Sequence, residues 1–176
     1  TPESAFKMGK RKYAKKKYKE AITYFENAFD ETQNGLDYYD VLTSAKYAYY
    51  TAVAYAANGS YSKARSFAIK AVNFRKNWGD PYILIGKLYA NTASKCGSDP
   101  AAKKAGYWAA IEKFQLARSI DNNCRSEANK LISDYKNRVP TASMLADNNY
   151  SGINYKIQCW YTETVKIKQS KEEIKD

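Results

Sequence analysis

Apolar and polar positions recur with a helical period from the N-terminus to about residue 138, where Ala, Lys, Tyr and Leu dominate and alternating runs are missing. Turn signals break this stretch at Gln33-Asn34-Gly35, Asn58-Gly59-Ser60, Asp80-Pro81 and Gly97-Ser98-Asp99-Pro100. Asp80 and Asp99 each precede a proline, the N-cap and first-position pair that opens helices. Asn58-Gly59 predicts a left-handed helix end, with Ser60 opening the next helix. Pro140 ends the helical stretch. Beyond it the pattern changes: Ile153 to Tyr161 alternates apolar and polar residues, and Val165-Lys166-Ile167-Lys168 continues the alternation. This predicts a β-hairpin or extended arm, which must dock on the helices or on a partner because a lone hairpin is marginal in water.

Comparing the chain with itself exposes a repeat. Tyr18 is followed by Ala21, Phe25 and Ala28; Tyr61 by Ala64, Ala68 and Ala71; Tyr107 by Ala110, Phe114 and Ala117. Ahead of these lie Gly9, the Ala52/Tyr55 pair and the Gly86/Tyr89 pair. Small residues let antiparallel helix backbones approach, and large ones fill the gaps between neighbours. The pattern resembles the tetratricopeptide repeat, with Gly and Tyr on a first helix and Ala-x3-Phe-x2-Ala on a second. The spacing exceeds the usual length of about 34 residues. Ala28 to Ala71 is 43 and Ala71 to Ala117 is 46, excesses assigned to the Glu31–Asp40 linker and the Cys96–Ala105 loop. The resemblance implies an all-α, right-handed superhelix. Its domain would span 1–138, with repeats at about 2–31, 45–78 and 79–122 and a solvating cap helix at 125–138. Residues 139–176 would form the arm packed on it.

Composition removes most chemistry. The 176 residues contain no His, which excludes Ser-His-Asp triads, Cys-His dyads and His-bearing metal or haem sites. No run of about 18 apolar residues occurs, and no GxxxxGK[ST] or GxGxxG motif is present. Glu20, Glu26, Glu112 and Glu163 read as members of solvated faces, so no catalytic residue, cofactor or metal is expected. Three cysteines, Cys96, Cys124 and Cys159, fit no CxxC motif and allow at most one intrachain bridge; bridge and free thiols both remain open. Thr1 is not a start Met and no leader follows, so the chain reads as a processed or trimmed product.

The net charge of +11 is blocked along the chain. Residues 7–19 carry eight bases and no acid: Lys7, Lys10, Arg11, Lys12, Lys15, Lys16, Lys17 and Lys19. Residues 20–40 carry six acids and no base, and residues 41–76 six bases and no acid. Such blocks mark either polyanion patches or solvated faces whose opposite signs meet on neighbouring helices.

A narrower match starts at Trp78. Gly79 to Ala90, Lys95-Cys96-Gly97 and Ala105 to Ala110 are similar to a group of tetratricopeptide proteins from Bacteroidetes. So are Ala128-Asn129-Lys130-Leu131-Ile132-Ser133-Asp134-Tyr135, Val139-Pro140-Thr141 and Tyr155-Lys156-Ile157-Gln158-Cys159-Trp160. After the Pro-Thr stop the chain departs from that group's aromatic-rich sequence, reading Ala142 to Tyr150. The resemblance implies an exported protein of the bacterial envelope, periplasmic in location. It also implies a Cys96–Cys159 disulfide pinning the arm to the third repeat's loop, with Cys124 free.

First helices of such repeats line a groove that takes peptides. By register the lining positions are Phe6, Lys10 and Tyr13; Lys46, Tyr49, Tyr50 and Val53; and Ile83, Leu84, Lys87 and Asn91. Aromatics mixed with Lys suit a peptide bearing acidic and apolar groups. Tyr47, Tyr49 and Tyr50 cannot all face one way on a helix, so core and exposed positions must both occur among them. The carboxylate clamp for chaperone tails is excluded, because Phe6, Lys10, Tyr50, Asp80 and Leu84 do not carry the residue types it requires there. The sequence therefore predicts a non-catalytic scaffold binding a peptide or partner protein, with a basic-patch binder of nucleic acid or an anionic envelope component as the alternative. Homodimerisation through a repeat end or the arm is left open.

Overall fold

The computed structural model describes residues 1–34, 40–168 and 171–175. Residues 35–39, half of the expected Glu31–Asp40 linker, lie outside them. Among the described residues the chain forms eight α-helices and one β-hairpin. In chain order these are α1 (Pro2–Ala14), α2 (Tyr18–Asn34), α3 (Val41–Ala57), α4 (Tyr61–Phe74), α5 (Asp80–Thr92), α6 (Ala102–Ile120), α7 (Arg125–Tyr135) and α8 (Ala142–Asp147). The strands β1 (Asn154–Gln158) and β2 (Thr162–Lys166) follow. The chain packs as two compact units, Thr1–Pro81 and Tyr82–Asp176.

In the first unit, α1 packs on α2 and α3 on α4 as helical hairpins. Thr1 caps α1 by accepting from the Ser4 N–H, with Pro2 at the first turn. Asp40 caps α3, accepting from the Leu42 and Thr43 N–H groups at 2.8 and 3.0 Å. These bonds hold the Asp40 carboxyl below its ordinary range. α3 consequently starts at Val41, four residues before the boundary expected for the second repeat. Gly59 ends the same helix with φ +77, as its position after Asn58 predicts.

Close approach sets the spacing of the repeats. A Cβ on Gly9 would lie 2.6 Å from the Phe25 ring. A Cβ on Gly86 would lie 2.4 Å from Phe114 and 3.0 Å from the Ala110 carbonyl oxygen. Repeat two differs in register, with a larger Ala52 where the others carry Gly and a smaller Ala68 where they carry Phe, both fully buried. Within the first unit Phe29 meets Phe67 and Phe74 edge-on at 5.8 and 6.1 Å, and Tyr55 stacks on Phe67 at 5.7 Å.

In the second unit, α7 closes the α5/α6 pair. Ala128 and Ile132 are fully buried, and Tyr135 stacks on Tyr107 and Phe114. The arm contains α8, a helix where an extended segment was expected. Thr141 caps it through the Met144 N–H. The hairpin itself follows the alternation: Gln158 pairs with Thr162 and Asn154 with Lys166. Ile157, Tyr161 and Val165 are buried, while Ile153 is 75% exposed.

Docking of the hairpin is covalent and polar as well as apolar. Cys96 and Cys159 form a disulfide, and Cys124 is a buried thiol outside it. Tyr161 stacks on Tyr89 at 3.8 Å, and the Trp160 indole N–H donates to Thr92 Oγ1 at 2.9 Å. Glu163 accepts from the Tyr89 hydroxyl at 2.8 Å and pairs with Lys113 at 2.9 Å. Glu112 accepts from the Lys166 N–H at 3.3 Å. Neither glutamate belongs to a solvated face, contrary to the sequence expectation, and Glu163 stands on a strand. Glu26 departs likewise, accepting from the Tyr55 hydroxyl at 2.5 Å. Burial, then this carboxylate, push the Tyr55 hydroxyl far above its ordinary pKa.

Glu112 gives a pH prediction. Burial raises its carboxyl pKa, opposed by the Lys166 N–H, Lys113 and Lys168 and reinforced by nearby Glu163. The folded state then holds the proton more tightly than the unfolded state, so stability falls as pH rises. This cost is absent below the ordinary value of 4.5 and complete above the raised one. Glu112→Gln should therefore gain Tm relative to the parent between about pH 4 and about pH 7. A constant Tm difference across that range would refute the assignment.

Candidate peptide-binding surface

The helix register brings the expected positions of the first unit onto one face. Phe6 lies beneath that face at 5% exposure, stacked on Tyr47 at 4.6 Å and edge-on to Tyr50 at 4.9 Å. It is therefore part of the packing and presents almost no surface of its own. Two ammonium groups sit over its ring, Lys46 at 4.9 Å and Lys10 at 5.5 Å. Neither lysine has an acidic partner among the described residues. Beside them a concavity of about 180 Å³ is lined by Lys10, Tyr13, Phe25, Tyr50 and Val53. Four of these are positions that the sequence singles out.

Phe25 is the lining residue the sequence did not indicate. The sequence reads its ring as one of the large residues that fill gaps between neighbouring helices, a role it also fills. Phe25 is 1% exposed and closes the concavity from beneath, with the Gly9 backbone packed against its ring. Tyr13 packs against Tyr18 at 5.3 Å, and burial followed by the Tyr18 interaction raises its hydroxyl pKa. Tyr49 turns from the concavity to Trp78, 4.8 Å away, over which Arg75 lies at 4.9 Å.

The four positions of the second unit differ among themselves. Ile83 is buried at 4% exposure, Leu84 is half-buried, and Asn91 is exposed. Lys87 is committed to Glu127 at 2.6 Å.

The basic run is divided by the fold. Lys7, Lys10, Arg11 and Lys12 stand on α1, Lys15, Lys16 and Lys17 in the turn, and Lys19 on α2. Lys16 adopts φ +57 in that turn. Glu20 binds two of the eight cations, Lys12 at 2.5 Å and Lys17 at 3.3 Å, so opposite charge blocks do meet between the helices. Those contacts lower the Glu20 pKa and raise that of Lys12, whose largest cause is the Glu20 hydrogen bond. Glu20 and Lys17 are exposed and Lys12 is only half-buried, so the pairs add little stability.

This arrangement of helical hairpins has a relative among solved structures. The chain is similar to a thermophilic TPR protein of Thermus thermophilus, with TM-score 0.56 and 14% identity over 84% of this chain and 83% of that one. The likeness shows a tetratricopeptide-type fold, here carrying a cap helix and a small two-stranded arm. No family model and no curated protein matches the chain.

Proposed function

We propose that this protein is a non-catalytic interaction scaffold that takes a peptide or partner segment on the α1/α3 face of its first unit. The observation carrying this reading is the pairing of unneutralised Lys10 and Lys46 with the aromatic concavity of Tyr13, Phe25, Tyr50 and Val53. A segment with an apolar side chain beside a carboxylate satisfies both parts: the side chain leaves water in the concavity and the acid meets the ammonium groups. The tetratricopeptide-type fold agrees with a protein-binding role. The Cys96–Cys159 disulfide supports an oxidising compartment such as the bacterial periplasm, and the Bacteroidetes resemblance points the same way.

An array of peptides pairing Phe or Leu with Asp or Glu tests the reading. Saturable binding is expected, with Tyr50→Ala or Lys10→Glu/Lys46→Glu weakening it about tenfold or more. The Lys7–Lys19 run supplies the competing outcome. Binding to heparin that falls steeply with salt, is lost in Lys15→Gln/Lys19→Gln and survives Tyr50→Ala would replace the peptide reading with a polyanion one.

A further inference from the structure

A cleft of the second unit lies beside the loop on which the arm is docked. It has a volume of about 630 Å³, within the range of small-molecule sites. Its walls are the loop after α5, the first turns of α6 and the segment that follows α7. Three cations line it, Lys103, Lys104 and Arg138, with Tyr107, Asn137 and the hydroxyls of Ser94 and Ser98. No acid lines it, and none of the three cations has an acidic partner among the described residues. Unpaired positive charges repel when gathered in one cleft, so their convergence is a cost that an anion would remove.

The walls are held in place before any ligand arrives. The loop is tied by the Cys96–Cys159 disulfide, and Gly97, at φ +91, approaches α6 so closely that a Cβ would lie 2.4 Å from that of Ala102. Asp99 accepts from the Ala102 N–H at 2.9 Å and from the Tyr150 hydroxyl at 2.8 Å. Across the cleft, Tyr107 stacks on Tyr135, over which the Arg138 guanidinium lies at 5.1 Å. Asn137 Oδ1 accepts from the Lys171 ammonium at 3.3 Å, which leaves the amide N–H groups as donors.

We propose that this cleft binds a phosphate monoester carried on a small ring compound, such as a sugar phosphate. Three cations are balanced more nearly by a dianion than by a single carboxylate. The guanidinium, the two serine hydroxyls and the Asn137 amide can each donate to a phosphate oxygen. Tyr107 and Pro100 offer apolar surface to the ring. The same phosphate could be presented free in solution or as a lipid headgroup.

Titration calorimetry on the intact, oxidised protein tests this with glucose 1-phosphate, glucose, inorganic phosphate, and phosphatidylcholine vesicles with and without phosphatidic acid. Glucose 1-phosphate should bind saturably and at least about tenfold more tightly than glucose. Lys104→Gln/Arg138→Gln should lose about tenfold or more, while Lys104→Arg/Arg138→Lys and Lys15→Gln retain binding. Binding confined to phosphatidic acid vesicles, with the same loss in the Gln variant, supports the phosphate site and assigns the headgroup source. No binding of either monoester, equal binding of inorganic phosphate, or binding unchanged in the Gln variant would overturn it. Lys10→Glu/Lys46→Glu should leave it intact, which separates this site from the α1/α3 surface.

Discussion

Replacing Cys96 and Cys159 by Ser should destabilise the second unit by about 4 kcal/mol in the chain-entropy model. The bridge spans a sequence separation of 63, and closing so long a loop removes much of the unfolded chain's freedom. The polar contacts of the hairpin cannot make up the loss. Trp160 to Thr92 and Tyr89 to Glu163 are single hydrogen bonds, each contributing about 1 kcal/mol, or up to about 3 where a charge is involved. Urea unfolding followed by fluorescence of Trp108 and Trp160 would measure the change against the parent, with and without reductant. Reductant should lower the parent's midpoint and leave the double Ser variant unmoved. Equal midpoints for parent and variant under oxidising conditions would refute the structural role of the bridge.

The second large effect concerns the spacing of α5 and α6. Phe114 is fully buried, and Phe114→Ala should cost about 3–5 kcal/mol through lost burial and the cavity left behind. Gly86→Ala should cost about 1–3 kcal/mol, because its new Cβ meets the Phe114 ring and cannot move away from the Ala110 backbone. The two changes should not add. With Phe114 reduced to Ala the Gly86 Cβ has space, and the pair then resembles Ala52/Ala68 of repeat two. A double-mutant cycle should show the double variant less destabilised than the sum by about 1 kcal/mol or more. Strict additivity would mean that the ring and the glycine do not share one packing site.

The same contact explains why the repeats were legible in the sequence. Helix backbones this close permit only Gly or Ala at Gly9, Ala52 and Gly86, so a physical requirement became a countable pattern. The Asn58-Gly59 end was visible for a similar reason, since it satisfies backbone groups through a particular residue type, whereas Asp40 reads as linker in the sequence and caps α3 in the structure. α8 was not visible. Six residues are too few for a helical period to declare itself, and Thr141 alone could open a helix or a turn. Surface and core were harder still. Register places Phe6, Tyr49 and Tyr50 on the α1/α3 side of the first unit, but whether a ring is covered depends on neighbours distant in the chain. Phe6 is sealed by Tyr47 and Tyr50, and Phe25, though buried still more completely, lines the concavity beside Tyr13 and Tyr50. The glutamates show the same limit, since Glu163 meets Tyr89 and Lys113 only once the hairpin has docked.

The position of the disulfide has a topological consequence. Cys96 and Cys159 enclose α6, α7, α8 and β1 within one covalent ring. A protease that cuts inside this ring, for example at exposed Asn149, leaves both fragments joined through sulfur. A single nick there opens the polypeptide without releasing any part of it. The binding face of α1 and α3, outside the ring, has no such tether: a cut between it and Cys96 severs its last covalent link to the ring.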